Sequence, residues 1–177
     1  MPNHQGTPSD APPKRPRIVA IGEIIWDLLP SGAQLGGAPA NFALDALALG
    51  GDVRLISRVG RDRLGEQALA IFRERGLPSD TIQRDDTAAT STASVKLDAH
   101  GHPHFVIHED VAWDRIVATN DDLAAVAQAD AICFGTLAQR TAATRAAVQR
   151  LVAAASVTSL RMLDVNLRPP YVSAEVV

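Results

Sequence analysis

Cysteine is almost missing from this chain of 177 residues, which carries only Cys133. That excludes an internal disulfide and a multi-cysteine metal site, and it fits a reducing compartment. Lysine is nearly as scarce, with Lys14 and Lys96 alone among 17 basic residues; alongside abundant alanine this reads as coding bias and carries no mechanistic weight. No stretch reaches the roughly 18 uncharged apolar residues of a membrane-spanning helix. Aromatic residues make up 4% of the chain and the net charge is −3. With no basic stripe interleaved with aromatics, neither nucleic acid nor a membrane is an expected partner. Residues 1–17 are rich in proline and hold Lys14, Arg15 and Arg17 but no apolar segment, so a secretory signal is not expected there. They read as a disordered leader, and the whole as a cytoplasmic protein. What is present is a 46% apolar fraction, enough for one compact domain burying roughly 70% of its unfolded surface.

Hydrophobic periodicity predicts an alternation of strands and helices. A β-branched run over Ile18–Ile25, broken only by Gly22 and Glu23, predicts a buried strand. Gly32, Gly36 and Gly37 mark a turn-rich stretch, and Pro39–Leu49 reads as a helix closed by Gly50-Gly51. A strand over Asp52–Val59 and a helix over Leu64–Arg75 follow. Then Ser91–Leu97 and Pro103–Ile107 read as a hairpin joined through Asp98-Ala99-His100-Gly101. After Trp113 the alternation resumes with a helix (Asp121–Gln128), a strand (Ala131–Phe134), a helix (Thr141–Ala155) and a strand (Arg161–Val165). Such a rhythm predicts an α/β domain with a parallel sheet, and the hairpin an excursion from it.

An α/β sheet binds its ligands at the carboxyl ends of its strands. Asp27, just past the first strand, is placed to accept hydrogen bonds from neighbouring hydroxyls, although taken alone it reads more simply as a surface-turn aspartate. Gly36-Gly37 ahead of a helix would let backbone N–H groups approach a ligand, and Asn41, one turn in, offers both a donor and an acceptor. A loop whose glycines serve only backbone torsions remains the alternative. His100, His102, His104 and His108 cluster in the hairpin, yet they read better as a polar tip than as a metal site. Cys133, in an apolar strand without basic flanks, reads as an inert buried thiol. Gly50-Gly51-Asp52 reads as a helix cap.

Taken in order, Gly22-Glu23-x-x-x-Asp27, Gly36-Gly37-x-x-x-Asn41, Val59-Gly60-x-Asp62-x-x-Gly65, a hairpin ending in Ala112-Trp113-Asp114, and Asp164-Val165-Asn166-Leu167-Arg168-Pro169-Pro170 resemble the pattern of the ribokinase or PfkB family of carbohydrate kinases, and most of all that of bacterial fructokinases. The likeness covers about Arg17 to Tyr171. It implies a ribokinase-like three-layer α/β/α sheet, incomplete over 18–177, with an inserted β lid over about 27–35 and 90–113. Asp27 and Asn41 would hold sugar hydroxyls, with Gly36 and Gly37 beside the sugar. Phe105 or Ile107 would wall it from the lid, and Asn166 and Arg168 would approach the phosphates. The complete enzyme would use ATP and Mg2+. The family's Gly-Ala-Gly-Asp signature, which carries the catalytic base, and its Asn-x-x-Glu motif are not in these 177 residues. The expectation is therefore the N-terminal part of a fructokinase-like enzyme, inactive alone, with no catalytic residue or metal site of its own. The alternative is a non-catalytic sugar-binding or lid-mediated dimerisation module, with a homodimer formed through the lid. Ribose, 2-keto-3-deoxygluconate or a nucleoside are the alternative substrates.

Overall fold

The β-branched run after Arg17 makes two strands in two different sheets, correcting the single strand expected over Ile18–Ile25. The computed structural model, which describes residues 14–97 and 103–166, ends β1 (Arg17–Ile21) at Gly22. There φ is 148°, a conformation that L side chains rarely adopt, and a Cβ would come within 2.6 Å of the Pro39 ring. The chain turns out of the sheet, and β2 (Ile25–Leu29) opens a second one. The expected leader is shortened too. Arg17 already belongs to β1, its N–H donating to Asp130 Oδ2 at 2.7 Å, whereas residues 1–13 lie outside the described part.

The stretch expected as turns holds β3 (Gly32–Gly36), which runs back antiparallel to β2. Helix α1 (Ala38–Ala48) follows with Pro39 in its first turn, where a missing N–H costs nothing. It ends as the glycines imply, with Gly50 N–H donating to the Leu47 carbonyl and Gly51 N–H to that of Ala46. The strand expected over Asp52–Val59 is also two. Strand β4 (Asp52–Ile56) stays in the main sheet, and β5 (Arg58–Gly60) leaves it to pair in parallel with β6 (Gln83–Asp85). Between them lies α2 (Arg63–Glu74), capped by Asp62, whose Oδ1 accepts from Gly65 N–H at 2.8 Å. The hairpin strands β7 (Ser91–Leu97) and β8 (Pro103–Ile107) pair antiparallel; their connection, 98–102, lies outside the described residues. Ala112–Arg115, expected as the hairpin's end, is a 3-10 turn sunk in the core, with Trp113 and Asp114 buried. The remaining elements are α3 (Asn120–Ala127), β9 (Ala131–Gly135), a 3-10 turn over Leu137–Gln139, α4 (Ala142–Ala154) and β10 (Leu160–Asp164).

Among the described residues the main sheet is parallel, in the order β10-β9-β1-β4. Alternation along β1 and β4 sorts its two faces. Ala20, Val53 and Leu55 pack with Ala43 of α1 and Phe72 of α2, while Val19 and Ile21 pack with Val126 of α3 and Val148 of α4. Helices on both faces make three α/β/α layers. The second sheet, in the order β3-β2-β7-β8, joins its two hairpins through the parallel pair β2–β7. The Trp26 indole anchors it, its Nε1–H donating to the Leu64 carbonyl at 3.1 Å. Among the described residues no helix is long and apolar enough to cross a membrane.

Candidate functional site

Where the carboxyl ends of the parallel strands meet the second sheet, the chain leaves a cleft of about 260 Å³. It lies at the small end of ligand sites, which run to roughly 300–1,000 Å³. Glu23 enters from the bend after β1, Asp27 from β2, Gly37 and Asn41 from the start of α1, and Asn166 from just past β10. Ile25, Ala93, Ile107 and Leu137 make its apolar wall.

Asp27 lies within β2, opposite Gln34 of β3 and Ala93 of β7, not beyond the first strand as expected. Gly36 ends β3 beside it, and a Cβ there would stand 2.9 Å from Asp27 Oδ2; the glycine makes room for the carboxylate. Gly37 is more constrained. Its φ is 109° and a Cβ would lie 2.4 Å from the Glu23 carbonyl oxygen, so no other residue fits without moving the backbone. Asn41 is exposed in the first turn of α1, its N–H donating to the Gly37 carbonyl at 2.9 Å. The Asn166 carbonyl accepts from Thr136 Oγ1 at 3.3 Å.

Of the two expected lid-wall residues, Ile107 lines the cleft; Phe105 is placed as a backbone position in β8, and its side chain lies outside the described part. Arg168, His100 and His102 lie outside it altogether. The described remnant of the histidine cluster is His108, with Nδ1 at 2.6 Å from Thr92 Oγ1. Among the described residues no three His, Cys, Asp or Glu side chains gather as a metal cage. Cys133 is buried, and loss of water together with the Asp164 and Glu23 carboxylates pushes its thiol up to about 11. That suits an inert thiol.

Two features escaped the sequence reading. Glu23 is 2% exposed, although charged side chains are almost never fully buried without a partner. Removal from water, the larger cause, and the nearby Asp164 carboxylate raise its pKa to about 7, against hydrogen bonds from its own N–H and that of Ala38 and the pull of Arg140. The signal was present in the sequence as one acid inside an otherwise apolar run. The second is the pair of Asp114 and Arg140, 4% and 5% exposed. Arg140 Nε donates to Asp114 Oδ1 at 2.7 Å and its NH2 group to Oδ2 at 2.6 Å. The same NH2 group reaches the His108 carbonyl at 2.7 Å, and the guanidinium stacks on Trp113 at 4.0 Å. This fork-on-fork pair ties the end of the hairpin to the core beside the cleft.

Among the described residues the cleft is lined by two carboxyl groups, two carboxamides and no cation. Such groups suit a ligand dense in hydroxyls, and they repel a triphosphate. Comparison with known proteins points the same way. The model of the "pfkB family carbohydrate kinase" matches residues 32–175. A fructokinase of Solanum tuberosum is 29% identical over 172 residues, covering 89% of this chain and 54% of its own. Among solved structures, a sugar kinase of Pyrococcus horikoshii superposes with a TM-score of 0.76 at 27% identity, over 87% of this chain and 56% of its own. A fructokinase of Xylella fastidiosa does so with a TM-score of 0.73 at 26% identity, over 89% and 52%. The chain thus spans about half the length of the relatives it matches.

Proposed function

The chain belongs to the pfkB family of carbohydrate kinases, and from that premise we propose that it supplies the sugar site and lid of an ATP-dependent sugar kinase whose substrate is fructose. The observation that carries this reading is the convergence of Asp27, Asn41 and Asn166 from three separate segments on one small cleft with an apolar wall. Asp27 accepts hydrogen bonds from two adjacent sugar hydroxyls, and Asn41 both accepts and donates. The Gly37 backbone lies against the sugar where a side chain would obstruct it. Ile107 brings the apolar face of the second sheet to the ring, and lid closure excludes water that would compete for the phosphoryl group.

In the whole protein ATP supplies the phosphoryl group and Mg2+ offsets its charge. The Pyrococcus horikoshii kinase has been solved with ATP, which supports a nucleotide donor. The described residues do not fit a triphosphate, since no lysine or arginine lines the cleft. The described residues of this chain thus bind and orient the acceptor, and contact with the phosphates falls to groups beyond them.

Calorimetric titration of the chain with fructose, ribose, 2-keto-3-deoxygluconate and a nucleoside tests the reading. Fructose binds most tightly, and Asp27→Ala weakens it at least about tenfold, the loss of a hydrogen bond to a charged group. Failure of the wild-type chain to bind any of the four refutes it. The second reading, a lid-mediated dimer without turnover, rests on β3 and β8, the two outer strands of the second sheet among the described residues, whose outer edges another copy could extend. Sizing the chain over a range of concentration distinguishes it.

A further inference from the structure

On the cleft Asp27 accepts and Asn41 both accepts and donates, whereas Glu23 has so far been given no part in binding. Its carboxyl is 2% exposed and lines the cleft with Asp27 and Asn41. Among the described residues its Oε2 has no hydrogen-bond partner, while the backbone N–H groups of Glu23 and Ala38 favour the ionised form only in part. A buried, polar and unused oxygen is a costly arrangement in a native core unless something arrives to meet it. The charges around it come from each neighbouring segment: Asp164 at the end of β10, Arg140 beyond the second 3-10 turn, Cys133 of β9 and Asp27 of β2. Arg140 is committed to Asp114, and α1 contributes only its peptide N–H.

We propose that Glu23 is a specificity-determining ligand of the sugar: as a neutral carboxylic acid it donates a hydrogen bond from Oε2 to a sugar oxygen, the complement of the acceptor Asp27. The inference rests on the sugar-site reading above and goes beyond it by giving the site a proton on which affinity depends. Because burial and Asp164 hold the pKa near 7, the donor is present in mildly acid solution and lost in mildly alkaline solution. Sugar binding and proton binding are then linked, each tightening the other. Glutamine mimics the neutral acid, its carbonyl taking the place of Oε1 and its NH2 the place of the Oε2 proton.

The test is fructose affinity of the 177-residue chain by calorimetry between about pH 6 and about pH 8, read beside the carbon-13 carboxyl resonance of Glu23 with and without saturating fructose. Wild-type affinity falls about tenfold over that range, Glu23→Gln binds with a flat profile, and fructose moves the Glu23 titration midpoint upward. The midpoint needs no variant, so the proposal stays testable if Glu23→Gln folds poorly. Binding with a flat wild-type profile, or a midpoint that moves downward because a sugar hydroxyl donates to the carboxylate, overturns the proposal and leaves the sugar site standing. No binding of any sugar at any pH overturns both.

Discussion

Replacing Glu23 by glutamine shifts stability in the variant's favour by an amount that grows with pH. In the unfolded chain the carboxyl ionises at 4.5; in the fold it holds its proton to about 7. The native state therefore binds more protons than the unfolded state between those values, and stability falls as pH rises through that window. At about 1.4 kcal/mol for each pH unit, the cost of ionising Glu23 in the fold reaches about 3 kcal/mol by pH ~8 and is near zero at pH ~4. Glutamine escapes that cost. It also leaves a buried amide in place of a buried acid, a penalty of about 1–3 kcal/mol if the amide is unmet, but this offset is the same at every pH and cancels in the comparison. The measurement is urea unfolding of wild type and Glu23→Gln at both pH values without sugar, with stability from linear extrapolation. The advantage of the variant over wild type should grow by about 3 kcal/mol from pH ~4 to pH ~8. A difference that stays constant within about 0.5 kcal/mol would refute the reasoning, since it would mean that Glu23 titrates alike in both states.

Gly37→Ala forces a Cβ to within 2.4 Å of the Glu23 carbonyl at a φ of 109°, so it costs more than about 1 kcal/mol in urea unfolding and weakens fructose binding by displacing the start of α1. Arg140→Ala leaves the buried Asp114 carboxylate without its fork and frees the His108 carbonyl. A loss of about 3–5 kcal/mol is expected on unfolding, much of it recovered when Asp114 is also replaced by alanine. Asp62→Ala removes the cap bond to Gly65 N–H and the bond from Thr90 N–H at 2.7 Å; it costs about 1–2 kcal/mol, and hydrogen exchange should quicken in the first turn of α2.

The helices and the main parallel sheet were legible because each leaves its own mark. Pro39 opens α1 and Gly50-Gly51 closes it, and Ala131–Phe134 is apolar on both faces, as a central parallel strand must be. The two strand breaks were not legible. Ile18–Ile25 and Asp52–Val59 are continuous apolar patterns, and periodicity cannot tell which sheet a strand will join. Only the packing of Gly22 against Pro39 and the pairing of β5 with β6 decide it. Local motifs singled out Asp27, Gly37, Asn41, Ile107 and Asn166, which line one cleft. Glu23 was seen as part of a motif and given no role, because a buried carboxylate becomes conspicuous only when its surroundings are known.

The parallel ladder between β2 and β7 pairs Ile25 with Ser91, positions 66 apart in the sequence. Each hairpin, β2–β3 and β7–β8, has its partner close at hand, but the join between them must close a long loop, whose entropy is lost before the pairing rewards it. The far wall of the cleft hangs on that join through Ala93 and Ile107. During refolding the sheet pairing that completes the binding pocket is thus a slow, high-contact-order event. Trp26 lies on the seam, opposite Thr92. With Trp113 replaced by phenylalanine its fluorescence would report when the seam closes, and fructose present from the start would hold the closed seam against reopening without hastening its first formation.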